Sequence, residues 1–135
     1  MRYFLDTNSL TSDVMALARH RKDIYVIQDV LDEFANSSAE VQRVRLSGIQ
    51  IVDLSAKHLD KMKEVMLSHG DNFGLIDLSL GEGRADVAMI AYILSEKDSP
   101  DTLFGLGQEY VIITKDKPLT EVAKSYGINC IESLV

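Results

Sequence analysis

Short apolar runs alternate with stretches of helical spacing along this 135-residue chain. Tyr3 to Leu5, Ile24 to Ile27, Ile49 to Leu54, Tyr110 to Thr114 and Asn129 to Ile131 are rich in β-branched or aromatic residues and are predicted as strands. Between them the pattern turns helical. Ser9 or Ser12 is placed to cap a helix with Val14, Leu17 and Ala18 on one face. Asp29 opens a helix over Val30 to Ala35, and another runs from about Ala39 to Leu46 before Gly48 stops it. Ser55 caps a helix carrying Leu59, Met62, Val65 and Met66, which His69-Gly70-Asp71-Asn72 breaks. A helix from about Gly83 to Glu96 buries Val87, Ile90, Ala91 and Leu94; the stretch from Asp98 to Glu109 is irregular. A final helix, Leu119 to Tyr126, stops at Gly127. Strands alternating with helices predict an α/β fold, a mostly parallel sheet with helices on both faces.

Four acids sit where these patterns start or end. Asp6 closes the first strand, Asp116 follows the fourth, and Glu33 and Asp86 flank helical patterns. The C-terminal ends of parallel strands share one edge, where such folds place their chemistry, so acids far apart in sequence can converge there as a divalent-metal site. Each acid also has a local explanation. Asp6 in Asp-Thr-Asn serves equally as a turn or N-cap residue. Glu33 lies with Asp29 and Asp32 in a first helical turn, where the dipole favours any acid, and Asp32 is an alternative second acid. Asp116 reads as a turn acid beside Lys115 and Lys117. Glu82 and Asp86 are four apart, so if the helix already includes Glu82 they share one face and repel unless a cation is near.

Length suits one domain spanning residues 1–135, and an apolar fraction of 46% is ordinary for a globular protein. The longest apolar run, Val87 to Leu94, is too short to span a bilayer, and Asp6 arrives before a signal-peptide core can form, so a cytoplasmic location is expected. A net charge of -7 argues against a protein that coats nucleic acid by bulk electrostatics, though not against an enzyme acting on it. The basic stretches Arg19-His20-Arg21-Lys22 and Arg43-Val44-Arg45 read as helix-end or solvated charge. Cys130 reads as a small buried strand residue. His20, His58 and His69 lie in helix-end or helix-surface contexts and receive no catalytic part. Without His or Cys ligands, a carboxylate site favours Mg²⁺ or Mn²⁺ over zinc.

Phe4-Leu5-Asp6-Thr7-Asn8, Val30-Leu31-Asp32-Glu33-Phe34, Gly81-Glu82-Gly83-Arg84-Ala85-Asp86 and Ile112-Ile113-Thr114-Lys115-Asp116 occur in that order over nearly the whole chain. Together they resemble the four acidic motifs of PIN-domain nucleases. The resemblance implies a three-layer α/β/α fold, a five-stranded parallel sheet of order 3-2-1-4-5, and Mg²⁺- or Mn²⁺-dependent cleavage of RNA. In small stand-alone prokaryotic members, the VapC-like toxin ribonucleases, it implies a toxin with an antitoxin protein as partner, and homodimers. Carried onto this sequence, Asp6, Asp86 and Asp116 hold a metal, with Glu33 and Glu82 completing the shell or a second site. Thr7, Asn8 and Thr114 orient water or carboxylates, and Lys115 contacts substrate phosphate. Met62, Met66 and Leu67, with Val41, Val44 and Leu46, supply apolar surface for a dimer or ordinary core. The competing reading is a PIN-like scaffold that binds RNA or a protein partner without cleaving.

Overall fold

The computed structural model describes residues 1–35, 37–69, 84–98 and 109–134, and in it five parallel strands form one sheet in the order β3-β2-β1-β4-β5. These are β1 (Arg2–Leu5), β2 (Ile24–Ile27), β3 (Gln50–Val52), β4 (Tyr110–Ile113) and β5 (Asn129–Ile131). Helices α1 (Ser12–Ala18), α2 (Gln28–Phe34), α3 (Ser38–Leu46), α4 (Ala56–His69), α5 (Arg84–Lys97) and α6 (Lys117–Ser125) alternate with them. The chain moves outward from β1 to β3, then returns across the sheet to β4 and β5. Right-handed crossovers in opposite directions put their helices on opposite faces, which gives three α/β/α layers.

The sheet centre is apolar on both sides. All four residues of β4 are buried, as are Phe4 and Leu5 of the adjacent β1 and Ile24, Val26 and Ile27 of β2 beyond it. Such unbroken apolar runs are what a parallel sheet covered on both faces requires. The Phe4 ring lies 5.3, 5.6 and 6.1 Å from the rings of Tyr25, Tyr92 and Tyr110. Two boundaries differ from expectation. β3 is three residues rather than Ile49 to Leu54, because its only partner, β2, ends at Ile27 opposite Val52 and α2 begins there. The first helix is split: Thr7–Ser9 form a separate 3-10 turn, and Thr11 rather than Ser9 or Ser12 caps α1.

α5 is apolar nearly all round. Ala85, Val87, Ala88, Met89, Ile90, Ala91 and Ile93 are buried, whereas the sequence pattern predicted a single buried face, and Leu94 is only half-buried. Its contacts with α4, α2 and β2 explain this. On α4 the expected apolar face is only partly correct, since Val65 is buried but Leu59 is 47% exposed. His58, expected at the helix surface, is buried instead. Its Nδ1 accepts the Ser55 N–H at 2.7 Å, reaching back over the first turn of α4, so Nε2 carries the proton and donates to Glu96 Oε1 at 2.9 Å. Burial pulls the Glu96 carboxyl upward, but the bonds from His58 and Lys57 hold it below its ordinary value. With its ring stacked on Tyr92 at 4.5 Å, His58 joins α4 to α5 and every polar atom it buries is matched.

Both glycines read as helix stops adopt positive φ, Gly48 at 97° and Gly127 at 76°. At Gly48 a Cβ would stand 2.6 Å from the Ala18 carbonyl oxygen, so the α3 to β3 turn can press against α1 only with glycine there. The break expected at 69–72 and the irregular stretch from 98 to 109 fall mostly outside the described residues. Among the described residues no helix is long and apolar enough to cross a membrane.

Candidate functional site

Strand register brings the first and last acidic segments together. Leu5 pairs with Ile113, so the residues that follow, Asp6 and Thr114, emerge side by side at the C-terminal edge of β1 and β4. These are the neighbouring strands between which the chain reverses its direction across the sheet, the crevice where open α/β folds bind ligands. Asp6 is 5% exposed and caps the 3-10 turn. Its Oδ1 accepts the Ser9 N–H at 2.9 Å, and Ser9 Oγ lies 2.6 Å from Oδ1 and 2.8 Å from the Ile113 carbonyl. The Thr114 hydroxyl donates to Asp6 Oδ2 and accepts the Asp116 N–H at 3.0 Å. One buried hydroxyl therefore fixes two acids. Asp116 in turn caps α6, its Oδ1 accepting the Leu119 N–H at 2.9 Å, with Pro118 in a first-turn position that needs no donor.

Glu33 comes from the neighbouring element. α2 starts directly at the end of β2 and packs against both the 3-10 turn and α5. The placement of Glu33 in a first turn was wrong: it lies in the last turn of α2, where the dipole disfavours a carboxylate. It is held there by Thr7 Oγ1, which donates to Oε2 at 3.0 Å. Asp32 instead accepts from Gln28 Nε2 at 2.8 Å on its own helix. Of the two claimants it is thus Glu33 that is tied to the turn headed by Asp6.

Asp86 lies half-buried in the first turn of α5, and its carboxyl is pushed up to about 7. Burial is the largest cause, followed by the charges of Asp116, Asp6 and Glu33. The acids from four separate segments thus come near enough to repel the Asp86 carboxylate. Glu82 lies outside the described residues. Asn8 and Lys115 are exposed and line a groove of about 340 Å³, and Lys115 and Lys117 make no ion pair with Asp116, so the turn-acid explanation by those lysines does not hold.

Among the described residues no three His, Cys, Asp or Glu side chains stand close enough to form a ready metal-ligand set. The hydrogen bonds give the reason: Asp6 is drawn to Ser9 and Thr114, Glu33 to Thr7, and Asp116 to the α6 amide. The local explanation offered for Asp6, capping, is therefore structurally true and coexists with the convergence, and Asp116 is a helix cap rather than the lysine-paired turn acid expected. All donors at this edge are hard oxygens, the chemistry of Mg²⁺ or Mn²⁺, and mutual repulsion at Asp86 is what a cation would relieve. The sequence marks Ser9 only as a helix cap, whereas the structure binds it to Asp6 and Ile113. The signal was there, since an Asp three residues before a Ser forms a local side-chain turn, but the tie to Ile113 across 104 positions was not.

Thr114→Val keeps the shape and removes the hydroxyl that serves both acids. It is expected to destabilise the protein by about 1–3 kcal/mol, the cost of leaving buried polar groups unmatched. Urea denaturation checks this, and an unchanged midpoint would show that the hydroxyl does not organise this edge.

A model of the family described as PIN domain matches residues 3–133. No curated protein matches the chain.

Proposed function

The chain belongs to the PIN-domain family, and from that premise we propose that it is a Mg²⁺- or Mn²⁺-dependent endoribonuclease that hydrolyses RNA phosphodiesters. The observation that carries this reading is the charge crowding at Asp86, to which Asp116, Asp6 and Glu33 all contribute. Crowded carboxylates of this kind, with Asp6 buried and Asp86 and Asp116 half-buried, are costly unless a cation offsets their charge. Asp6, Asp86 and Asp116 would hold the metal, with Glu33 and Glu82 completing the shell or a second site. When bound, the metal supplies Lewis acidity toward water and phosphate and neutralises charge on the leaving oxygen. The chain's own groups prepare the place. Thr114 and Ser9 fix the two oxygens of Asp6, Thr7 holds Glu33, and Asp86, with its carboxyl pushed up to about 7, is the acid whose charged form a bound cation would favour most. In this reading Asn8 would orient water and Lys115 would meet a substrate phosphate.

Incubating the purified protein with labelled single-stranded RNA, with Mn²⁺ or Mg²⁺ and then with a chelator, tests the proposal. Cleavage that the chelator stops is the expected result. A second reading has its own support: each carboxylate answers to a separate local donor, as in a scaffold that binds RNA or a protein without cutting. No cleavage under any divalent cation would establish that reading. Within the nuclease reading we place the protein in the cytoplasm with its RNA, as the toxin partnered by a small antitoxin or as an RNA-processing nuclease. Capture of the product of an adjacent reading frame, with loss of cleavage, would identify the toxin, and cleavage unaffected by any such product would remove it.

We also infer a homodimer, though the structure narrows the surface available. Of the six apolar side chains considered, Val44 is buried and Val41, Met62 and Met66 pack against the core. Leu46 and Leu67 remain 80% and 86% exposed, which leaves them as the candidate apolar contacts of such a dimer. Light scattering at tens of micromolar, on the order of concentrations that reveal weak contacts, is expected to give a dimer, and a monomer there would remove it.

A further inference from the structure

Thr114, whose hydroxyl holds Asp6, also lines a groove of about 400 Å³. Lys115, Lys117 and Lys124 line it too. We propose that this groove receives the phosphate backbone of single-stranded RNA adjoining the acid site, with Lys117 and Lys124 as the phosphate contacts. The ligand's identity rests on the nuclease reading; the groove itself does not.

Charge distribution selects this groove. Two carboxylates, Glu121 and Glu132, also line it, so three cations face two anions. In the adjoining groove Lys115 faces two carboxylates, Asp13 and Glu132, the opposite balance. The four acids of the site repel phosphate in the absence of metal, and the whole chain carries -7, so a backbone leaving that site is guided to whichever wall is net positive. All three lysines are exposed, and none makes an ion pair with a described residue. Of the basic stretches seen in the sequence, Arg21 is held by Asp23 at 2.6 Å and Arg43 reaches Ser12 at 3.3 Å, while Arg19, Lys22 and Arg45 are exposed but line neither groove.

Helix geometry makes the two outer lysines a track. Positions 117, 120, 121 and 124 fall on one stripe of α6, all lining the groove, and seven residues at about 1.5 Å each put Lys117 and Lys124 roughly 10 Å apart along the axis. Two ammonium groups at that separation can engage separate phosphates of one strand. As flexible point charges, lysines grip phosphate without reading the base, so the groove provides affinity and direction and leaves sequence choice to the acid site.

The test uses the full chain carrying Asp6→Asn, so that RNA is not cut, and a fluorescein-labelled oligouridylate followed by anisotropy with Mg²⁺ present over a range of KCl. Replacing Lys117 and Lys124 together by Gln is expected to weaken binding about tenfold and to flatten the slope of log affinity against log salt by about 1.4, roughly 0.7 for each phosphate left unneutralised. Replacing both by Arg should retain binding, and Lys63→Gln on α4 should leave the slope nearly unchanged. With Asp6 intact, the double Gln variant should raise KM and spare kcat. Unchanged affinity and slope in a double variant that melts like the parent would overturn the groove. If the unsubstituted protein cleaves while the slope stays unchanged, the groove alone is rejected. If it does not cleave, the nuclease reading is rejected and the groove stands or falls on the salt slope.

Discussion

Asp6→Asn is expected to lower metal-dependent RNA cleavage by more than about a hundredfold, because even groups that merely support a metal ligand are worth about 10- to 100-fold. The fold should survive. The amide keeps an oxygen that can accept the Ser9 N–H, and its nitrogen can donate to the Thr114 hydroxyl, which has a lone pair left after accepting from Asp116. Removing the charge also removes one of the three repulsions acting on Asp86, so the metal-free variant should melt at the same temperature as the parent or slightly above it. Cleavage assays and thermal melts on the same preparation check both halves. Cleavage at the parental rate would take Asp6 out of the site, whereas lost cleavage together with a collapsed melting temperature would make its role structural.

Added Mn²⁺ should raise the melting temperature of the parent more at neutral than at mildly acidic pH, and should do little for Asp86→Asn at either. The sign follows from proton linkage. The Asp86 carboxyl is raised from an ordinary 3.8 to about 7 in the folded protein, so between those values the folded state binds more protons than the unfolded one. Stability of the metal-free protein therefore falls as pH climbs through that interval and levels off above it. A cation that binds only the folded state stabilises by mass action, and at acidic pH it must first displace the Asp86 proton. Differences of about 1 kcal/mol move the midpoint by a few degrees in a domain of this size, which is readily measured. Asp86→Asn should flatten the pH dependence as well and should be more stable than the parent at neutral pH without metal. Equal stabilisation of both proteins, or of neither, would mean that the four acids do not share a cation.

Helix and strand periods come from neighbours within a few residues, which is why the alternation of elements and the helix stops at Gly48 and Gly127 were legible in the sequence. The placing of Asp6 and Asp116 at the ends of apolar runs was legible for the same reason. The strand order came from the resemblance of the four motifs and is the order observed. Local pattern could not say that Leu5 pairs with Ile113, because that register is set by which strands become neighbours, and with it came the bond from Thr114 to Asp6 across 108 positions that links Asp6 to Asp116. Nor could it place Glu33 or His58. One shift of the α2 start moved Glu33 from the favoured end of the dipole to the disfavoured one, and burial of His58 depended on Glu96, 38 residues away, being there to accept its hydrogen bond. The chain by itself thus determined which residues were available at the strand ends. Tertiary packing decided which of them meet, because hydrogen bonds and charge repulsion act over a few ångströms of space and take no account of distance along the sequence.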